Sequence, residues 1–303
     1  MDRLDVGIFV PSAPLVVAQA GGHFEAQDLE VVYDRVASSE AQFRDLASDR
    51  YQLVHTAFDN VASYRLNARN PLGDRFRVSV VFALDYGMDL TVIGAPEVKT
   101  LADLRGRTVS VDAVDTGFAY VLFDILASAG LERDVDYEVV RHGGVASRLD
   151  RLLAGDAAAT LLSNGLELVA MARGLNRLAR SHDVVSPYLG GVIAAADAWL
   201  HGHGELVSRF RAAYEEALRF VVDPANRADV VVQVASARGI AVERAEAVVG
   251  AELSDTGLAR STSVNHRAVE SVLRLRSAWG GFEEEPDIAA LVAPDSELFA
   301  LER

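Results

Sequence analysis

Cysteine is absent from this 303-residue chain, which removes disulfides, thiolate nucleophiles, Cys-ligated zinc and lipid attachment at an N-terminal Cys. Positive charge is scarce: 29 Lys and Arg stand against 44 Asp and Glu, the formal net charge is -15, and Lys99 is the sole lysine. Contact with phosphates needs clustered cations, so neither nucleic acid nor an anionic membrane surface is an expected partner. No apolar run reaches the roughly 18–20 residues that span a bilayer, and direct membrane insertion is not expected. The sequence as written opens without a charged leader and an apolar core of about 7–15 residues. Two expectations for localisation follow, a cytoplasmic protein or an exported one whose leader has been removed. Gly21-Gly22 and Gly143-Gly144 do not form G-x-G-x-x-G, and nothing matches a Walker loop, so no nucleotide cofactor is expected, nor any other. His201-Gly-His203 lacks a third nearby ligand and reads as a surface turn, so no metal is expected.

Half of the residues are hydrophobic, and single cores stop growing near roughly 250–300 residues, so two domains are expected. The first half alternates strand and helix. Asp5–Val10, Leu29–Tyr33 and Tyr51–Thr56 read as strands, followed by helices over Ala13–Phe24, Ser39–Asp49 and Asp59–Asn67, the second capped by Ser38 or Ser39. Two more strand-like runs, Phe76–Leu84 and Leu90–Ile93, precede a second alternating unit: strands at Thr108–Val111, Tyr137–Val140 and Ala158–Leu162, helices at Gly117–Ala129, Ala146–Leu153 and Leu166–Ala172. After one further strand, Gly190–Ala195, the chain reads as helical: Glu205–Val222, Ala228–Arg238, Val242–Glu252 and Asn265–Trp279. The pattern predicts α/β units with parallel strands.

Four loops that follow strands are polar in the same way: Pro11-Ser12, Ser38-Ser39, Thr56 through Asn60, and Asp115-Thr116-Gly117. Each sets a hydroxyl or carboxylate beside the free N–H groups of a helix start. That pairing suits a carboxylate, sulfonate, phosphate or ring acceptor of a ligand, and it equally suits an ordinary N-cap.

Pro14 to Leu29 resembles the opening helix and "G-x-F-E-x-x-G-L" turn of ABC-transporter solute-binding proteins for nitrate, sulfonates, taurine and thiamine-pyrimidine precursors. Leu101-Ala-Asp-Leu-Arg-Gly-Arg-Thr-Val-Ser-Val111 is similar to that family's "L-x-D-L-x-G-K-x-V-x-V" signature, and Leu149 to Thr160 to its "A-L-x-x-G-x-V-D-A" segment. The resemblance implies a two-lobed type II periplasmic-binding-protein fold, each lobe a mixed, mostly parallel sheet flanked by helices, with a helical C-terminal extension. It implies crossings near Ala83 to Asp89 and Ser186 to Gly191, with residues 1–87 and 190–303 in the first lobe and 88–189 in the second. It also implies a monomer that closes by a hinge around a small-molecule ligand held between the lobes and hands it to an ABC permease. Carried onto matching positions, the pocket involves Pro11, Ser12, Ser38, Phe58, Asp59, Asn60, Asp115, Thr116, Gly117, Asn164 and Tyr188.

The chain departs from that pattern in its acidity. Asp59, Asp85, Asp112 and Asp115 favour a neutral or nitrogen-bearing solute over a dianion, and Phe58, Tyr86, Phe118, Tyr120 and Tyr188 offer rings for stacking. The alternatives are a cofactor-free lyase or decarboxylase, with His55, Asp59 and His142 as acid–base groups, and a cytoplasmic sensor on the same scaffold. The desulfinase and pyrimidine-synthase relatives rest on a site cysteine, which this chain lacks.

Overall fold

The computed structural model describes residues 1–86, 90–163, 165–282 and 286–292. It divides into two units, one of residues 1–86, 189–269 and 282–292, the other of residues 90–188 and 270–281. Among the described residues, no helix is long and apolar enough to cross a membrane.

The first unit is built on five strands: β1 (Asp2–Ile8), β2 (Leu29–Arg35), β3 (Leu53–Ala57), β4 (Val78–Ala83) and β10 (Gly191–Ala196). Their order in the sheet is β2-β1-β3-β10-β4. β1 lies parallel to β2 and β3, with Val6 beside Leu53 and Ile8 beside His55, whereas β10 runs antiparallel to both β3 and β4. β10 and its neighbour β4, the last strand in the order, are buried along their whole lengths, which explains why they read as almost continuous apolar runs, broken only by Ser79 in β4. Helices α1 (Ala13–Ala20), α2 (His23–Ala26), α3 (Ser39–Ala47), α4 (Phe58–Leu66), α8 (Asp197–Leu200), α9 (Gly204–Val222), α10 (Arg227–Arg238) and α11 (Val242–Glu252) complete the unit.

The single helix expected over 13–24 is two. Gly22 takes φ +71°, a left-handed conformation that an α-helix cannot carry through, and the chain restarts at His23. The turn seats Phe24 in the core, stacked on Phe210 of α9 at 5.0 Å, and the row continues through Phe82 to Tyr214 at 5.0 Å. Each of these fully buried rings contributes roughly 1.5–3 kcal/mol of transfer free energy.

The second unit repeats the plan with β5 (Thr91–Gly94), β6 (Arg107–Val111), β7 (Tyr137–Arg141), β8 (Ala159–Leu162) and β9 (Asn176–Arg180), in the order β7-β6-β8-β5-β9. Here β5 is the antiparallel strand, set between β8 and β9. The sequence reading has no counterpart to β9, an edge strand with arginines at both Arg177 and Arg180. Helices α5 (Gly117–Ser128), α6 (Val145–Leu153) and α7 (Leu166–Ala172) flank the sheet.

The signature around Leu101 proves to be a structural device. Asp103 accepts the backbone N–H groups of Lys99 and Thr100 at 2.9 and 2.8 Å, closing a capping box on the 3₁₀ turn Leu101–Leu104, and Arg105 donates to the Gly130 carbonyl.

The last helix, α12 (His266–Trp279), belongs to the stretch 190–303 that the sequence reading gives to the first lobe; its residues from Glu270 group with the second unit. The reason is packing. Trp279 meets Phe123 at 5.6 Å, Arg274 pairs with Asp124 at 3.2 and 3.0 Å, and Arg276 lies over the Tyr120 ring.

Candidate functional site

In the first unit, the loops at the C-terminal ends of β1 and β3 bring the predicted residues to one end of the sheet. Ser12 stands at the N-cap position of α1, but its side chain makes no cap; the Oγ is buried without a hydrogen-bond partner. The helix start is met from elsewhere. Glu252, the last residue of α11, accepts the Ala13 N–H through Oε2 at 2.7 Å, and its Oε1 pairs with Arg238. Arg238, at the end of α10, donates to the Pro11 carbonyl from Nε and Nη2, at 3.1 and 2.7 Å.

Ser38 does cap α3, accepting from the Ala41 N–H at 3.1 Å, in an exposed position. Gln42 of the same helix is fully buried, and its amide donates to the Gly7 carbonyl at 3.0 Å and the His55 carbonyl at 2.9 Å. It thereby ties β1 to β3 and leaves its own Oε1 buried and unpaired.

His55 is largely buried and its Nδ1 has no partner. A Cβ added to Gly191 would fall against Asp85 Oδ2 and 3.2 Å from His55 Nε2, so the start of β10 closes tightly over these side chains. Burial, and then the positive charge of Arg238, lower the His55 pKa to about 4. Phe58, with no exposed surface, and Asp59, nearly as buried, open α4, while Asn60 donates to Thr56 Oγ1 at 3.0 Å. The Phe58 N–H donates to the Gly190 carbonyl.

In the second unit, the loop after β6 is the counterpart of Pro11-Ser12. Thr116 caps α5 by accepting from the Ala119 N–H at 3.2 Å, and its hydroxyl lies 2.8 Å from Asp112 Oδ1 as donor. Arg276 reaches the Asp115 carbonyl from α12 at 3.4 Å, and Gly117 is buried at the first helical position. In both units, then, an arginine from a late helix holds the carbonyl just before the N-cap of the leading helix.

His142 Nδ1 lies 3.0 Å from Ser110 Oγ. Nearby, Arg148 of α6 is buried, donating to the Gly143 and Leu161 carbonyls at 2.7 and 3.0 Å; burial pushes its guanidinium pKa down and the Asp112 carboxylate opposes the shift. Tyr188 is buried. Asn164 lies outside the described residues, as do 87–89 of the first expected crossing. Among the described residues, no group of three or more His, Asp or Glu side chains is arranged to hold a metal ion.

Gln42, Arg148, Arg238, Glu252 and Arg276 are absent from the sequence-derived set. Gln42 carried a signal, since it shares the i, i+4 face of α3 with buried Leu46. So did Arg148, four residues before buried Leu152. A polar residue on an apolar stripe marks a group that must find partners inside. Nothing local distinguishes Arg238, Glu252 or Arg276.

The model of the family described as NMT1/THI5 like matches residues 11–228. The chain belongs to the NMT1/THI5-like family. A comparison with curated proteins returns no match. Among solved structures, the chain is similar to the periplasmic aliphatic sulphonate binding protein SsuA of Escherichia coli, with 16% identity, TM-score 0.75, and 96% of this chain and 97% of that one covered. It is also similar to the periplasmic nitrate-binding protein NrtA of Synechocystis PCC 6803, with 12% identity, TM-score 0.73, and 95% and 84% covered. A third similar structure is the desulfurization enzyme DSZB, with 15% identity, TM-score 0.71, and 97% of each chain covered. At these identities the likeness establishes the fold, that of the periplasmic binding proteins, with the mixed sheets and flanking helices implied by the sequence resemblance.

Proposed function

We propose that this chain binds a small polar organic solute, nitrogen-bearing or aromatic, as the solute-binding component of an ABC-type importer. The observation that carries the reading is that, among the described residues of the first unit, three of the buried polar atoms without partners, Ser12 Oγ, Gln42 Oε1 and His55 Nδ1, belong to residues set around β1 and β3. Buried groups of this kind are normally satisfied, and their gathering around two neighbouring parallel strands, Ser12 after β1, His55 in β3 and Gln42 on the helix α3 that bridges them, is the pattern of a site that a ligand completes. The sulphonate- and nitrate-binding proteins that share the fold support solute binding as the use of such a site. Candidate contacts in the first unit are Pro11, Ser12, Asp59 and Asn60 together with Gln42 and His55; the second unit, taken by itself, offers Asp115, Thr116, Gly117 and Tyr188.

The test is a thermal-shift screen of the full chain over sulfonates, pyrimidines, amino acids, polyamines and aromatic acids, because a ligand selective for the folded state raises Tm with occupancy. The expected result is a saturable rise with one class, lost in Asp59→Ala and Thr116→Val. A rise that survives both changes overturns the site, and no rise with any class counts against solute binding.

The similarity to a desulfurization enzyme favours a second reading, a cofactor-free lyase that uses His55, Asp59 and His142 as acid–base groups. Any such chemistry here proceeds without a thiolate, since the chain has no cysteine. Conversion of the bound solute, followed by mass spectrometry, separates it from uptake.

A further inference from the structure

An N-terminal helix end with a guanidinium beside it is a donor set that holds oxyanions: the amide N–H supplies a directed hydrogen bond, the helix dipole favours negative charge, and arginine adds a full positive charge. The start of α1 has these parts. The Ala13 N–H points outward from the first turn, and Arg238 is fixed at the Pro11 carbonyl two residues earlier. The oxyanion already there is the protein's own. Glu252 gives one carboxylate oxygen to Ala13 and the other to Arg238, with Arg238 and Glu252 side chains only 10% and 20% exposed.

We propose that Glu252 is a specificity-determining residue, an internal carboxylate that fills the anion seat of α1 and bars sulfonate, nitrate and carboxylate groups from the strand-end loops of the first unit. The inference rests on the solute-binding reading and narrows it. An incoming anion would have to displace a paired carboxylate that bears the same charge. What remains for a ligand in this unit carries no positive charge: the Ser12 hydroxyl, the Gln42 carbonyl oxygen and the imidazole of His55, beside the carboxyl group of Asp59. These exchange hydrogen bonds with ring nitrogens, amides, amines and hydroxyls. With its pKa lowered to about 4, His55 is neutral near pH 7 and supplies no charge that would reverse this preference. The expected solute therefore presents a neutral or cationic nitrogen-bearing group to the first unit.

The experiment is a titration of the full chain with sodium methanesulfonate and sodium nitrate at constant ionic strength, read at the Ala13 amide by ¹⁵N–¹H correlation. Wild type should show no saturable shift of that amide. Glu252→Ala vacates the seat and frees both Ala13 N–H and Arg238, and should bind methanesulfonate at least tenfold more tightly, with a saturable Ala13 shift. Saturable movement of Ala13 in wild type overturns the proposal, and so does a folded Glu252→Ala that responds no better than wild type. Should that variant fail to fold, Glu252→Gln carries the same test, with at least a threefold gain expected and no gain overturning it. The solute screen on wild type judges the binding reading separately. A wild type that binds sulfonates at Ala13 keeps that reading and loses this inference.

Discussion

Arg238 donates two hydrogen bonds to the carbonyl of Pro11, a residue 227 positions earlier in the chain. The bond joins the end of α10 to the turn that launches α1, and Glu252 completes the triangle at Ala13. Breaking a largely buried pair leaves the surviving charge poorly solvated, which costs more than the pair contributes. Arg238→Met is expected to lower the unfolding free energy by about 2 kcal/mol, measured by urea denaturation, while Arg238→Met with Glu252→Gln should recover part of the loss. An additive double mutant would mean that the two side chains do not act as a pair.

His55 gives the chain an acid-sensitive component. Above pH 6.5 it is neutral in the folded and the unfolded chain. As pH falls from 6.5 towards 4, the unfolded chain takes up a proton that the folded chain refuses, so stability is lost through that window. The expected loss between pH 7 and pH 5 is about 2 kcal/mol from this group. Urea midpoints at the two pH values, compared with those of His55→Gln, check it. The variant should lose less on acidification, and equal losses would contradict a depressed His55.

Gly280 tests the packing of α12 in the second unit. A Cβ there would strike the Tyr120 hydroxyl and stand 2.7 Å from the ring carbon that bears it. Overpacking of this kind costs roughly 1–3 kcal/mol. Gly280→Ala should be destabilising by that amount, and Tyr120→Phe in the same chain should relieve only part of it, because the ring carbon stays in place.

Asp103 satisfies two backbone N–H groups at the 3₁₀ turn. Asp103→Ala should lower the urea midpoint, as loss of a cap does, without altering the affinity for any solute that the wild type binds. A change in affinity with little change in stability would make the signature a recognition element after all.

Much of this architecture was legible from local pattern. α7 and α11 have the limits that apolar spacing predicts, and Ser38 and Thr116 cap as the hydroxyls before their helices suggest. The same caps show why the candidate site was only partly legible. Those two hydroxyls are spent on the backbone, whereas Ser12, with the same local sequence signal, keeps its oxygen unpaired because a carboxylate 239 residues beyond Ala13 takes over the helix start. Whether a hydroxyl caps or waits for a ligand is decided by tertiary partners. Arg238, Glu252 and Arg276 are such partners, set in amphipathic helices where an arginine or glutamate looks like any solvated residue. β9 escaped for a simpler reason, since its alternation is broken by arginines at an edge that water reaches.

The place of β10 in its sheet has a further consequence. Within its sheet β4 pairs only with β10, which lies between it and β3, and β10 follows the whole 90–188 segment in the chain. During ribosomal synthesis the three parallel strands emerge early but must wait for a partner more than a hundred residues downstream. The sheet of β5 to β9 needs no later strand. The nascent polypeptide therefore completes the strand pairing of its middle before that of its beginning, and in a chain stalled ahead of Gly191 the segment Val78–Ala83 lacks its sheet partner.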